Sequence, residues 1–271
     1  MFATCRPLDR ALTSALGRPM DMDRLLRDHA VGEDAIDDML ACVGGAPVAR
    51  VLLHHGADPN AFFANALGAA AAKGDLATMR LLLRYGADPN AFERSVLREP
   101  RRFVGCDDDD MPMVPLAEAV ANGHSEAARL LVDHGANVEA FAGLDWPFAP
   151  FNLEGIKPLW AAIRGGDVDA VRLLLDVGAA ADGDEGAPLR LAVECRNADV
   201  VRLLIERGAD VDAGDGDAWP LSISARNGDV GIMRVLLQAG ADPGVGGGEP
   251  LRHAAARGYA AAVALLAAVR P

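Results

Sequence analysis

The chain has 271 residues, 51% of them hydrophobic by a broad count, and a formal net charge of −13. That length fits one large domain or two small ones, and the acidic balance speaks against a nucleic-acid binder, whose affinity comes from Lys and Arg. The longest nearly apolar runs, Ala61–Ala72 and Ala260–Val269, fall short of the roughly 20 residues a membrane helix needs.

The N-terminus places charges where a signal peptide needs an apolar stretch. A cytoplasmic protein is expected, with export by an unseen route left open. Cys5, Cys42, Cys106 and Cys195 lie too far apart for any zinc-type spacing. Reduced, unpaired thiols follow.

In chain order, the first predicted helices are Leu8–Gly17 and Met22–His29, a weak pair. A stronger phrase then recurs: two apolar residues led by leucine, two further residues, then Gly-Ala. It starts at Leu52, Leu82, Leu131, Leu174, Leu204 and Leu236. A second phrase, Pro-Leu, opens at Pro115, Pro158, Pro188, Pro220 and Pro250, and each of the first four prolines precedes its Gly-Ala glycine by 20 residues. Proline suits the first turn of a helix, where its missing N–H leaves nothing unpaired. About eight small or apolar residues follow, then a Gly or Asn turn. Asp167 and Asp229 suit the start of a second helix. Val168, Val171, Leu174 and Leu175 give that helix one buried face. The Gly of Gly-Ala ends it in a left-handed conformation. A last pair, Pro250–Arg257 and Ala260–Val269, closes the chain.

Helix pairs this short cannot bury their own apolar faces and must stack. The pattern resembles the ankyrin repeat, with its Thr-Pro-Leu-His and Gly-Ala-Asp-x-Asn phrases. The resemblance implies an all-α ankyrin-repeat solenoid of about eight helix-turn-helix repeats with short β-turn fingers. It makes residues 1–271 a single domain: an N-terminal capping repeat over 1–32, six recognisable repeats over 33–246, and a C-terminal capping repeat over 247–271. The family's Thr is replaced by Val114, Lys157, Ala187, Trp219 and Glu249, and its His by Ala117, Trp160, Arg190, Ser222 and Arg252. In the family those two residues tie neighbouring repeats together, so looser inter-repeat bonding is expected. Gly178 to Pro188 and Gly240 to Pro250 span only 10 residues each, so those fingers should be short.

Two connections are long: 29 residues from Gly86 to Pro115 and 23 from Gly135 to Pro158. The insertions, near 91–114 and 140–157, bracket one repeat and should emerge side by side. Such loops often form the binding face of a solenoid. Phe92, Phe103 and Met111 lie in the first, beside the run Asp107–Asp110, and Phe141, Trp146, Phe148 and Phe151 in the second. Phe62 and Phe63 are assigned to the preceding finger. These side chains either anchor a partner or fold inward as a local core. The resemblance points to a second surface, the residues just before the inter-helix turn: Ala121 and Asn122, Arg164, Glu194 and Cys195, Arg226 and Asn227, and Arg257. Arg164, Arg226 and Arg257 would form a basic stripe, and a solvated ridge with Glu194 paired to its neighbours is the other reading.

The acidic run Asp107–Asp110 lacks EF-hand spacing, and His54, His55 and His134 suit helix C-termini better than a metal. No phosphate-binding loop or nucleophile elbow exists, and Gly244–Gly248 reads as a flexible turn. The expectation is therefore a protein–protein interaction module: no enzyme, no cofactor, no metal, no nucleic acid or membrane partner, and a monomer. Its role would be a stoichiometric binder, inhibitor or adaptor, and its acidity favours a basic partner surface. A secreted bacterial or viral effector acting on host proteins is a second reading, and an enzyme with its site in the insertions a third.

Overall fold

The computed structural model describes residues 18–28, 36–37, 39–40, 45–90, 114–139, 157–214 and 219–269, with the side chains at 62–65 excepted. All the secondary structure in these residues is helical. The chain divides into two compact units, residues 1–158 and 159–271.

In the first unit, α1 (Pro19–Asp28) and α2 (Ala46–His54) are second helices whose partners lie largely outside the described residues. Complete pairs follow: α3 (Ala61–Ala72) with α4 (Leu76–Arg84), and α5 (Pro115–Ala121) with α6 (Ser125–Asp133). First helices pack on first helices, α3 on α5, and second on second, α1 to α2 to α4 to α6. The second unit repeats the plan with α7 (Pro158–Gly165) and α8 (Val168–Asp176), α9 (Gly183–Glu194) and α10 (Ala198–Glu206), α11 (Pro220–Asn227) and α12 (Val230–Gln238), α13 (Val245–Ala256) and α14 (Ala260–Val269). Here α9, α11 and α13 form one layer and α8, α10, α12 and α14 the other.

Six glycines end second helices in the same way. Gly56, Gly86, Gly135, Gly178, Gly208 and Gly240 all have φ between 83° and 104°. In each repeat the alanine that follows donates its N–H to the carbonyl of the leucine four residues before the glycine, from Ala57 to Leu52 through Ala241 to Leu236, at 2.9–3.1 Å. This is the Schellman arrangement. Those six leucines, Leu52, Leu82, Leu131, Leu174, Leu204 and Leu236, are all fully buried. Gly86 and Gly135 therefore terminate equivalent helices on either side of the first insertion.

The fingers supply hydrogen bonds between repeats that the missing Thr and His do not. Four residues past the helix-ending glycine, Asn60, Asn90, Asp182 and Asp212 reach the next repeat. Asn60 Oδ1 accepts from the Asp88 N–H (2.7 Å), and its Nδ2 donates to the Gly86 carbonyl (3.0 Å). Asn90 does the same across the insertion, to the Asn137 N–H (2.7 Å) and the Gly135 carbonyl (2.8 Å). In the second unit, Asp182 accepts from the Asp210 N–H and Asp212 from the Asp242 N–H. Aspartate has no N–H to give, so the second bond of each Asn rung is absent there. Burial, with Asp210 and Asp242 nearby, pushes the Asp212 carboxyl up in pKa against the pull of its backbone hydrogen bond.

Two features depart from the sequence reading. Phe62 and Phe63 belong to α3 rather than to a finger. That repeat has no proline to fix a start, and its helix begins already at Ala61, so its finger is very short. The short fingers before Pro188 and Pro250 turn through left-handed backbone, which the sequence does not announce. At the same offset from Gly178 and Gly240, three consecutive residues adopt left-handed angles: Asp184, Glu185 and Gly186 in one, Gly246, Gly247 and Gly248 in the other. Glu185–Gly186 and Gly247–Gly248 carry the paired positive-φ angles of a tight type I′ turn, which reverses the chain. Arg190 donates to the Glu185 carbonyl (2.8 Å) and Arg252 to the Gly246 carbonyl (3.2 Å). The arginines that replace the family's His thus brace the two left-handed turns.

Candidate functional site

The inter-helix turns are built from a left-handed residue followed by the cap of the second helix. The left-handed residue is Gly74, Gly123, Gly166, Gly228 or Gly258, with Arg196 (φ 59°) the exception. Within each unit the cap residue of one repeat lies over the left-handed residue of the repeat before. The His124 ring covers Gly74, where a Cβ would sit 2.7 Å from Nδ1, and the Tyr259 ring covers Gly228 at 3.0 Å. Asp229 grips Arg196: the Nε of Arg196 lies 3.0 and 2.8 Å from the two carboxylate oxygens. Asp167 caps α8 as the sequence suggests, accepting from the Asp169 and Ala170 N–H groups at 3.0 Å. Asp229 makes no such cap, because Arg196 holds its carboxylate.

The four described candidate residues sit at the ends of first helices in the second unit. Arg164, Glu194 and Arg226 occupy one repeat position, six residues after Pro158, Pro188 and Pro220. Arg257 falls one position later, level with Cys195 and Asn227. Arg164, Glu194 and Arg257 are exposed and Arg226 is half-buried. The order along the ridge is plus, minus, plus, so Glu194 interrupts the expected basic stripe. In the first unit the equivalent repeat position carries Asn122, whose Nδ2 donates to the Glu118 carbonyl at 2.9 Å. Burial raises the Glu118 carboxyl pKa, opposed by its hydrogen bond to Asn122.

Cys195 reports on this ridge. Partial burial raises its pKa first, the Glu194 charge adds to the rise, and the Arg164 charge opposes it. The thiolate is the reactive form. Alkylation of Cys195 by iodoacetamide should therefore need a higher pH than an ordinary thiol. Glu194→Gln should speed it and Arg164→Gln should slow it, read from the Cys195 peptide by mass spectrometry. Opposite signs, or no response to either change, would place Cys195 away from both charges.

Phe92, Phe103, Met111, Phe141, Trp146, Phe148 and Phe151 lie outside the described residues. The roots of their two insertions do not. Residue 90 precedes the first and residue 139 the second, and the Asn90–Asn137 hydrogen bond joins the two roots. Glu139 and Lys157, flanking the second insertion, form an ion pair at 3.7 Å. Both insertions therefore begin at neighbouring fingers. Sequence reading missed the finger rungs and the Arg196–Asp229 clamp, since each joins residues roughly one repeat or more apart.

Among the described residues no group of three or more His, Cys, Asp or Glu could hold a metal ion. No described helix is long and apolar enough to cross a membrane.

The family model described as ankyrin repeats (3 copies) matches residues 38–142 and 144–215. Among solved structures, the crystal structure of the human ASB11 ankyrin repeat domain is similar to this chain. It is 22% identical and the match covers 98% of this chain and 99% of that one, with a TM-score of 0.59. At that identity the likeness speaks for the fold. A search of curated proteins finds no match.

Proposed function

The chain belongs to the ankyrin-repeat family, and we propose that it acts as a stoichiometric binder, inhibitor or adaptor for one partner protein. Ankyrin repeats in general are protein–protein interaction modules. One observation carries the reading. The buried leucine four residues before the helix-ending glycine is identical in all six repeats. The ridge position changes from exposed Arg164 to exposed Glu194 to half-buried Arg226. A constant scaffold that displays varied charged side chains suits recognition, whereas catalysis needs convergent groups in a pocket.

The partner surface proposed for the ridge and the insertion aromatics is net basic, with encounter assisted by the overall charge of −13. The test is affinity purification with the intact protein beside a variant lacking Arg94–Met111, at low and high salt. That deletion brings Gly86 to within a normal finger of Pro115, so the stack should survive it. The reading expects a one-to-one complex by size exclusion with light scattering. The complex should weaken with salt and be lost from the variant. Identical, salt-indifferent capture by both forms would remove the insertion and the electrostatic part. Failure to capture any stoichiometric partner would remove the binder reading itself.

A further inference from the structure

Every second helix from α2 to α12 carries an exposed arginine six residues before its helix-ending glycine: Arg50, Arg80, Arg129, Arg172, Arg202 and Arg234. Residues three before and four after it share its helix face. On α6, α8 and α10 both positions are acidic: Glu126 and Asp133, Asp169 and Asp176, Asp199 and Glu206. The arginine there has a carboxylate on either side within its own helix, and on α10 the Arg202–Asp199 pair closes at 2.7 Å. On α2, α4 and α12 the pattern breaks: on α12 the flanking positions are Gly231 and Gln238, both uncharged. They are Pro47 and His54 on α2, and Ala77 and Arg84 on α4. Neither α2 nor α4 contains an acidic residue.

The carboxylates on α1 and at the start of α4 are already engaged. On α1, Asp21 pairs with Arg18, Asp28 with Arg24, and Asp23 with both Arg27 and His55. Asp75, at the start of α4, accepts from the Thr78 N–H and hydroxyl. On α6, Glu126 and Asp133 flank Arg129. Among the described residues Arg50, Arg80 and Arg84 have no ion pair and no carboxylate on their own helices. Because α2 packs beside α4, the exposed Arg50 and His54 lie next to the exposed Arg80 and Arg84. The spacing is about 6 Å along each helix and about 8–10 Å across them. Tyr85, 43% exposed, follows Arg84 directly. Arg and Tyr side by side are the residue types that dominate interface hot spots.

We propose that the outer face of α2 and α4 is a second docking surface, for a short acidic segment of another protein. The proposal rests on reading the chain as a binding module and adds a face separate from the ridge. Three arginine forks match carboxylates, which they bind two bonds at a time. A few carboxylates spaced one helical turn apart would satisfy all of them. A nucleic-acid duplex suits the patch less well, since such binding draws on about six to ten phosphate contacts. An anionic membrane calls for clusters of about four to eight Lys or Arg. The overall charge of −13 also repels an extended polyanion, whereas a short segment meets mainly the local charge.

The test uses the full chain and a fluorescein-labelled alanine-based helical peptide with glutamates three and four residues apart. A copy with glutamine at those positions serves as control. Anisotropy titrations at low salt should show binding of the glutamate peptide and none of the glutamine one. The triple variant Arg50→Gln, Arg80→Gln, Arg84→Gln should weaken binding at least about tenfold, as expected when several exposed ion pairs are lost together. The variant Arg129→Gln, Arg172→Gln, Arg202→Gln removes the same charge at the same repeat position and should leave the affinity within about twofold. Thermal melts matching the parent keep both variants comparable. Equal weakening by the two variants, no binding of the glutamate peptide, or tighter binding of duplex DNA or phosphatidylserine vesicles would overturn the proposal. A stoichiometric partner still captured by the intact protein would then leave the binder reading standing without this face.

Discussion

Gly186→Ala should destabilise the 159–271 unit by roughly 2–5 kcal/mol, from a left-handed backbone cost of about 1–2 and an overpacking cost of about 1–3. Gly186 has φ 77°, and an added Cβ would lie 2.2 Å from the Ala213 Cβ and 3.5 Å from its Cα. The finger of the following repeat therefore rests directly on this glycine. Asp184 and Glu185 already carry side chains through left-handed angles just before it, which leaves the turn little freedom to yield. Gly208→Ala is the control. Its φ is 92° but no atom lies within 4 Å of the added Cβ. It should cost only the backbone part, about 1–2 kcal/mol. Urea unfolding followed by circular dichroism separates the two. Equal losses would mean that the left-handed turn does not bear on the next finger.

Leu204→Ala should cost about 2–5 kcal/mol, the usual penalty for emptying a fully buried leucine site. Leu204 has no exposed surface, and its carbonyl accepts the N–H of Ala209 that closes the helix. Its α10 packs between α8 and α12, so the void would open on neighbours from both sides. In a repeat stack stability is close to a sum of repeat and interface terms, and this position contributes to three helices at once. Val177→Ala is the contrast: Val177 is 41% exposed at the end of α8. Away from buried features such changes stay within about 0.5 kcal/mol. A loss at Leu204 no larger than at Val177 would contradict the layered packing.

Much of this fold is readable in the sequence because its marks are local. A Gly-Ala pair after a run of leucines reports a helix end, and a proline reports a helix start, each through the backbone chemistry of one residue. Equal spacings between the two then give the repeat. Where a mark was missing the reading failed: α3 has no proline, so Phe62 and Phe63 went to a finger. The left-handed turns were hidden for another reason. Gly244–Gly248 reads as a flexible turn, but nothing in Asp184 or Glu185 announces a positive φ. The partner of Asp229 was equally hidden, since a good capping residue is also a good partner for an arginine 33 residues away. For the candidate site, the sequence placed Arg164, Glu194 and Arg226 at one repeat position. The basic face on α2 and α4 emerges only when equivalent helices are compared and the engaged carboxylates of α1 are known.

One repeat register continues through the first insertion, with Asn90 bridging to the repeat that begins after it. Amide hydrogen exchange resolved to single residues tests this most directly. The Asn137 N–H lies in a finger, yet it should exchange at least about tenfold more slowly than an open loop amide, because Asn90 Oδ1 holds it. Asn90→Ala should release Asn137 while leaving the Asp88 amide, held by Asn60, protected. A parent protein in which the Asn137 amide already exchanges freely, or in which Asn90→Ala leaves it slow, would contradict the continuous register.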